Sequence, residues 1–387
     1  MASLGGIANA LGDLASKIAG GAKDATPDDT VKLKVNGAAY EGWTEVTLSR
    51  SLKAASRTFS LTLIDKWAEK QEPWKVMPGD QCVITIGKEQ MIRGYIDTVS
   101  PTFDASARSI TVSGRDRVAD MVDSSADHTP GNWQNIDLFT LAKKLAAPFG
   151  VNIAVDPIVA SSITSPFPGV KINDGETAFE LLNKQAKLRG CILTSDGDGG
   201  ILITRAGVAR SSGALVQGEN ILTASATFSE KDRHSKYIVK SQDGGLDGAE
   251  SGVDFACQAF VTDPFITRYR PIIIVAEGAA TAAVCKQRAL WERSVRRGKS
   301  TVFRCSVPGW RQSNGRLWTP NELVRVKSPW TGIDVELLLT EASLKKTADT
   351  TTSDLVLEHP AAYNPDPTLI DRKEPWRQLV IQESARK

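Results

Sequence analysis

Short runs in which apolar and polar residues alternate are the feature that most limits how this chain can fold. In the run 31–35, apolar residues alternate with lysines until Gly37 marks a turn. A period of two places every second side chain on the same face of a strand. Similar runs, separated by turn signals such as Pro78-Gly79-Asp80, lie at residues 44–50, 58–64, 81–86, 91–100 and 109–113. Many short strands with turns between them predict an antiparallel barrel or sandwich.

The pattern changes after residue 115, where two helices are expected. Asn135-Ile-Asp137 can cap a helix over residues 138–148, and a second helix over 176–189 ends at Gly190. Strand-like runs on both sides of Asp196-Gly-Asp-Gly-Gly200 predict a hairpin. We interpret residues 116–218 as a small α/β insert, after which strands resume at 221–228 and 236–241.

A tryptophan-rich stretch, residues 268–329, predicts the core of a further β-rich domain. A strand-like run, a helix over 279–298 and strands at 301–307 and 322–327 follow one another there. A buried Trp removes about 150–250 Å² from water, so its burial is strongly stabilising. The three Trp residues of this stretch are therefore candidates for a structural core motif, with the helix lying across the domain: Trp291, Trp310 and Trp318.

The N-terminal segment has the pattern of an amphipathic helix. Its apolar side chains fall on one stripe of a helical wheel: Leu4, Ile7, Leu11, Leu14 and Ile18. Gly20-Gly21 would end this helix, and a polar linker continues to residue 29. Two interpretations remain open, a frayed leader and a helix that docks in a groove of a partner. Residues 364–387 contain three Pro and few apolar residues, which favours an extended C-terminal arm.

Composition excludes several classes of protein. A net charge of +2 argues against bulk electrostatic binding to nucleic acid or an anionic membrane. The sequence has no apolar run long enough for a transmembrane helix and no signal-peptide pattern. Five widely spaced Cys residues fit reduced thiols in a protein made in a cytoplasm, and they form no zinc-binding pattern.

No catalytic, metal or cofactor motif is apparent. The three His residues lie outside any nucleophile elbow or HExxH helix, and the chain has no phosphate-binding glycine loop. Asp196-Gly-Asp198 resembles the start of a calcium loop, but Gly207 stands where the twelfth-position Glu is required. Glu176 and Glu180 share a helix face, which is more typical of a solvated surface than of a glycosidase pair. We therefore expect no enzyme activity and no cofactor.

Basic residues cluster near the end of the predicted helix, including Arg293, Arg296 and Arg297. Cations there stabilise the negative end of the helix dipole, whereas a contact with an anionic partner is the alternative. Arg288 falls on the apolar stripe of the helix, where it needs an ionic partner or an aromatic ring to stack on.

Read together, several segments resemble the baseplate hub protein of Mu-like contractile-tailed phages. The resemblance covers about residues 30–365. It is carried by Gly42-Trp43, Ser49-Arg-Ser-Leu52, Phe59-Ser-Leu-Thr-Leu63, Gly79-Asp80, Gly94-Tyr-Ile-Asp97, Gly114-Arg-Asp116, Asp120-Met-Val-Asp-Ser-Ser125, Arg268-Tyr-Arg-Pro271, Arg288-Ala-Leu-Trp-Glu292, Gly309-Trp-Arg311, Gly315-Arg-Leu-Trp-Thr-Pro-Asn321 and His359-Pro-Ala-Ala-Tyr363. Each piece is short, and their common order makes the set specific.

The resemblance implies a mainly β, ring-forming structural protein with two antiparallel β-barrel tube domains and a small α/β domain. The first tube domain is expected at 30–115, completed by a return near 219–241. The second is expected at 242–363, with the helix 279–298 inside it. Related architecture occurs in the T-even phage hub and in type VI secretion spike proteins.

The resemblance also implies the assembly in which such a chain works. Three copies form a ring at the tip of the tail tube that joins the sixfold tube to the threefold central spike, and DNA passes through only as cargo. Expected partners are the spike, the tube or tape-measure protein and baseplate wedge proteins, in a virion assembled from chains made in the host cytoplasm. The alternatives are a tail-associated peptidoglycan-degrading enzyme and a carbohydrate- or nucleic-acid-binding β protein.

Overall fold

The computed structural model describes residues 28–65, 75–105, 107–207, 209–240, 258–275 and 282–363. The leader with Leu4, Ile7, Leu11, Leu14 and Ile18 lies outside these residues, as does the arm 364–387. Within the described part, the chain is mainly β, with several antiparallel sheets.

The first unit is an antiparallel sheet of seven strands. The strands are β1 (Val31–Val35), β2 (Ala38–Tyr40), β3 (Glu45–Ser51), β4 (Thr58–Asp65), β5 (Gln81–Ile86), β6 (Glu89–Phe103) and β7 (Arg108–Asp116). Their order across the sheet is β3-β4-β7-β6-β5-β1-β2. Inward side chains of β1 and β3–β7 belong to one buried cluster, so the sheet curls around a single core. The predicted period of two is confirmed in these strands.

Two glycines allow a close approach of β6 and β7. A Cβ atom on Gly94 would lie 2.0 Å from the carbonyl oxygen of Arg115, and one on Gly114 would lie 2.1 Å from that of Tyr95. No other residue fits at these separations, because the obstructing atoms are backbone. Both glycines belong to segments that carry the family resemblance.

The insert contains the two expected helices and two small sheets. Its elements are α1 (Val118–Asp123), β8 (Asn132–Ile136), α2 (Leu138–Ala146), β9 (Ile153–Val155), α3 (Ala160–Ile163), β10 (Phe167–Lys171), α4 (Ala178–Leu188), β11 (Ile192–Ser195) and β12 (Ile201–Thr204). Asp137 caps α2 by accepting the Thr140 amide, and Thr177 and Glu180 form a capping box on α4. The predicted hairpin is confirmed as β11–β12, with β9 added in parallel.

Buried polar groups attach the insert to the first unit. The Asp116 carboxylate, 1% exposed, accepts the amides of Arg57 at 2.9 Å and Val118 at 3.1 Å. The Arg57 guanidinium donates to the carbonyl oxygens of Met91 and Ser195, both at 2.8 Å. Ser195 is in the insert and Met91 is in β6, so Arg57 links them directly.

The remaining elements form a second unit and a separate small unit. They are β13 (Ala209–Arg210), β14 (Leu215–Val216), β15 (Thr223–Phe228), β16 (Lys236–Lys240), β17 (Gln258–Thr262), β18 (Pro271–Val275), α5 (Ala282–Lys299), β19 (Thr301–Pro308), β20 (Glu322–Ser328), β21 (Ile333–Lys346) and β22 (Thr351–Glu358). The second unit has the order β15-β19-β22-β21-β20, with β13 and β14 beside β20. The small unit is the sheet β17-β16-β18 with α5 packed on it.

Two expectations about this part are wrong. The return segment 219–241 does not complete the first barrel, since β15 pairs with β19 and β16 pairs with β17 and β18. The helix packs on the small sheet, through Cys285 and Ala289 against Tyr237 and Val239, rather than across the second barrel. Alternation identifies the buried face of a strand but not the strand beside it, which explains both errors.

The two units have the same strand order and share one continuous sheet. β15-β19-β22-β21-β20 repeats β3-β4-β7-β6-β5, and both long strands, β6 and β21, carry a register shift. Before its shift β21 pairs with β20, and after it residues 341–346 pair with β3. β21 therefore joins the units, and among the described residues the result is a 14-stranded sheet that ends at β15 and β2.

Candidate functional site

The structure separates the three Trp residues of the predicted core motif. Trp310 is 1% exposed and packs in the core of the first unit, although it follows a strand of the second. Trp318 is buried in the core of the second unit. Trp291 is half-buried on α5, where the Arg288 guanidinium stacks 4.7 Å from its ring centroid. The stacking partner expected for Arg288 is thus Trp291, and Arg288 also pairs with Glu292 at 3.1 Å.

The residues weighed for chemistry serve local structure. His359 Nδ1 accepts the Ala361 amide, and His128 lies edge-on to Trp133. Asp196 accepts the amides of Asp198 and Gly200 within its own turn. The described ranges contain no group of three or more His, Cys, Asp or Glu side chains that could hold a metal ion.

Burial keeps two thiols of the sheet protonated. It raises the pKa of Cys82 and of Cys305 to about 12, because the thiolate would lose its hydration. Separately, none of the helices in the described ranges is long and apolar enough to cross a membrane.

One face of the large sheet is covered by hydroxyl groups. On β3, β4, β7 and the second half of β6, three successive outward positions in each strand carry Ser or Thr. These residues are Thr47, Ser49 and Ser51; Thr58, Ser60 and Thr62; Ser109, Thr111 and Ser113; and Thr98, Ser100 and Thr102. We call this surface the hydroxyl face. An ordinary solvated strand face would also carry lysine and glutamate, so the uniform composition points to a specific role.

Cross-strand contacts organise the hydroxyl face. The oxygens of Thr62 and Thr111 are 3.0 Å apart, and those of Thr102 and Ser109 are 2.5 Å apart. At the junction of the two units, the Ser49 and Ser343 oxygens lie 2.8 Å apart. The hydroxyl face therefore reaches Ser343 of β21, where the next outward side chains, Glu341 and Lys345, are charged.

Several charged side chains beside the hydroxyl face are paired. Arg115 lies at its edge and contacts Asp123 and Asp97, each at 2.8 Å, and these hydrogen bonds raise the pKa of the guanidinium. On the second unit, Lys345 pairs with Asp354 at 2.7 Å. These ion pairs offset part of the charge next to the hydroxyl face.

The hydroxyl face was not predicted from the sequence. The strands themselves are correctly predicted at residues 44–50, 58–64 and 109–113, and the Ser and Thr residues are visible at every second position. The signal would have been the residue type at outward positions, whereas the prediction used only the apolar positions between them. That four such strands lie side by side follows from long-range pairing that the sequence does not display.

Strand edges form the other feature of the surface that can serve assembly. β15 has β19 on one side and no strand on the other within the described part of the chain. β6 pairs with β5 only up to Tyr95, so residues 98–103 also have one free side in the described ranges. Exposed apolar side chains lie at both edges: Phe228 is 39% and Phe103 is 86% exposed. Free edges of this kind are templates for pairing with another chain.

Three family models match successive parts of the chain. Residues 30–116 match the N-terminal domain of Mu phage baseplate assembly protein GpP-like proteins. Residues 118–205 match the second domain of baseplate hub protein gp44-like proteins, and residues 281–366 match the fourth domain of Mu phage baseplate assembly protein GpP. These ranges include the first unit, most of the insert, and α5 with β19–β22.

Comparison with individual proteins also relates this chain to phage baseplate and tail proteins. The chain is 33% identical over 323 residues to baseplate hub protein gp44 of Escherichia phage Mu, covering 82% of this chain and 84% of that protein. It is similar in structure to the 43 kDa tail protein of prophage MuSo2 from Shewanella oneidensis, at TM-score 0.77 and 35% identity, covering 87% of this chain and 99% of the other. The type VI secretion component c3393 of E. coli shares the fold, at TM-score 0.51 and 9% identity, over 84% of this chain and 76% of that one.

Proposed function

Because the chain belongs to the family of Mu-like phage baseplate hub proteins, we propose a ring of three copies that joins the sixfold tail tube to the threefold central spike. The observation that carries this proposal is the repeat of one strand order in two units of a single sheet. Three copies supply six similar units on one side of the ring. Each copy also supplies one insert and one small unit, which keep the threefold symmetry of a spike.

The hydroxyl face supports a second part of the proposal, a channel for DNA. Proteins hold DNA chiefly by neutralising phosphates with Lys and Arg. The Ser and Thr side chains of the hydroxyl face are uncharged and give passing phosphates no such contacts. We assign this face to the channel wall, where weak binding favours transit of the duplex.

This role is structural and requires no active site. It puts the chain in the virion after synthesis in the host cytoplasm, with the spike below, the tube or tape-measure protein above and wedge proteins around it. The leader, through Leu4, Ile7, Leu11, Leu14 and Ile18, is proposed to dock on one of these tail proteins.

The oligomeric state tests the ring. We expect light scattering on the purified chain at about 10 μM to give three times the 41.7 kDa mass of one copy, because free strand edges drive association. The measurement is repeated with the spike protein added, since the spike can template the ring. A monomer under both conditions would contradict the proposal.

The channel wall is tested by adding charge to it. We expect Ser60→Lys/Thr111→Lys to increase the affinity of the assembled ring for duplex DNA. The affinity should also fall more steeply with salt, because each added phosphate contact increases the slope of log K against log salt concentration by about 0.9. The matched control is Ala160→Lys/Ser161→Lys, which adds the same charge at exposed positions of the insert. Affinity is measured by fluorescence anisotropy over a salt series. The assignment of the hydroxyl face to the channel wall would be contradicted by an equal increase in DNA affinity in the two variants, or by tight DNA binding of the unsubstituted ring.

A further inference from the structure

The contact between the two units inside one chain is a model for the contact between copies. After the register shift between Leu339 and Glu341, β21 leaves β20 and pairs with β3. The paired residues run from Glu341 opposite Ser51 to Lys346 opposite Val46. An edge strand of one unit is thus added to the long strand of the other.

The first unit contains the same long strand, and within the described residues the second half of that strand has no such partner. β6 pairs with β5 through residues 89–95 and shifts register between Ile96 and Thr98. From there, in the part of the chain that the structure describes, it continues beside β7 alone. In the first unit, β3 lies at the outer side of β4. In the second unit, β15 lies in the same position, at the outer side of β19. In the described ranges, β15 lacks the neighbour that β3 finds in β21.

The strand pairings define which residues of the two units correspond. Ile96 pairs with Gly114 before one shift, and Leu339 pairs with Leu357 before the other. Gly114 also pairs with Phe59, and Leu357 pairs with Phe303, so these two buried phenylalanines correspond. On the next strand outward, Phe59 pairs with Leu48 and Phe303 pairs with Ala226, so Leu48 and Ala226 correspond as well. The same alignment matches Ser100 to Ser343 and Thr227 to Ser49.

We propose that β15 of one copy adds antiparallel to residues 98–103 of β6 in a second copy, with Thr227 opposite Ser100. This inference rests on the proposed ring and specifies how it closes. Three such contacts between copies alternate with the three β21–β3 contacts within copies. Around the ring, every unit then receives an edge strand from its neighbour.

The side chains suit this register. Ser100 and Thr227 repeat the hydroxyl pair of Ser49 and Ser343, whose oxygens lie 2.8 Å apart. Thr223, Ser225 and Thr227 are the outward residues of β15, so the hydroxyl face continues across the contact. On the inward side, Phe228 lies opposite Val99, which covers an apolar ring that is 39% exposed in the single chain.

Pro101 in β6 limits what else can pair there. It lies opposite Ala226 in the proposed register and has no amide hydrogen, so that pair keeps only the bond from the Ala226 amide. A proline on a free edge disfavours indiscriminate pairing with other strands. The remaining specificity comes from the matched hydroxyl and apolar positions on the two sides.

Disulfide trapping tests the register. In Ser100→Cys/Thr227→Cys we expect mild oxidation to link copies, giving two-chain and three-chain bands on a non-reducing gel. Directly opposed residues have Cβ atoms about 4.5–5.5 Å apart, close to disulfide geometry. Ser49→Cys/Ser343→Cys is the positive control and links within a chain. Ser100→Cys/Thr223→Cys, displaced by about 13 Å along the strand, is the matched out-of-register control and stays unlinked.

A charge exchange checks the same pair without a disulfide. Ser100→Asp/Thr227→Asp is expected to lower the trimer fraction at least tenfold, and Ser100→Lys/Thr227→Asp to restore it, with circular dichroism melts confirming that all variants are folded. This register would be overturned if trimers persist, no disulfide forms between positions 100 and 227, and the charge substitutions leave the trimer fraction unchanged. That result would leave the proposed ring intact. Absence of trimers in the unsubstituted chain, with and without the spike, would overturn both.

Discussion

Trp310→Ala is expected to lower the free energy of unfolding by about 3–5 kcal/mol, the cost typical of emptying a buried aromatic site. The indole is 1% exposed and contacts a core formed mainly by β1 and β3–β7. Its Nε1–H also donates to the Lys345 carbonyl oxygen at 2.9 Å, so alanine removes a hydrogen bond as well. Because the residue comes from the β19–β20 connection, the loss weakens the attachment of the second unit to the first.

Chemical denaturation followed by circular dichroism measures this effect. The matched control is Trp330→Ala, since that ring is 89% exposed and its removal is expected to change stability by no more than about 0.5 kcal/mol. Similar midpoints for the two variants would show that Trp310 does not act as a core residue. Loss of the trimer with an unchanged midpoint would instead assign Trp310 to an interface.

Asp263→Ala is expected to destabilise the small unit by about 3–5 kcal/mol, because it removes the carboxylate that pairs with the buried guanidinium of Arg233. The side chains of Asp263 and Arg233 are both 1% exposed, and the carboxylate accepts from Arg233 Nη2 at 2.8 Å and Nε at 3.2 Å. The other carboxylate oxygen accepts the Phe265 amide at 3.1 Å, which fixes the turn after β17. Removing both charges, as in Arg233→Met/Asp263→Leu, is expected to recover much of the loss.

Hydrogen exchange read by mass spectrometry locates this effect. Faster exchange is expected in β16, β17 and β18, with little change in β3, β4 and β7. Asp334→Ala is the control, since its ion pair with Arg325 is exposed to solvent and contributes at most about 1 kcal/mol. Uniform acceleration across the chain would mean that the small unit and the large sheet unfold together, contrary to this expectation.

The parts of the fold that local patterns determine could be predicted from the sequence. Alternation identified most strands of the first unit, and the cap at Asp137 and the hairpin around residues 196–200 were correct because they depend on neighbouring residues. The family resemblance supplied the two similar β units. Their division differs from the prediction, since β15 belongs to the second unit and β16–β18 form a sheet of their own.

What could not be predicted depends on contacts between distant residues. The pair that joins the units, Ser49 and Ser343, is separated by 294 positions. Trp310 was expected in the core of the second domain, yet it is buried in that of the first unit, because the connection after β19 crosses over to it. The hydroxyl face has the same origin, since each strand shows its Ser and Thr residues and only the pairing places them together.

The hydroxyl face has a consequence for the conditions in which the protein works. Serine and threonine hydroxyls have no protonation equilibrium in the range that a virion meets outside its host, in contrast to carboxylates and imidazoles. Their hydrogen bonding to water also involves no net charge that counterions could screen. The electrical character of this surface is therefore expected to stay constant from acidic to alkaline surroundings and from fresh to saline water.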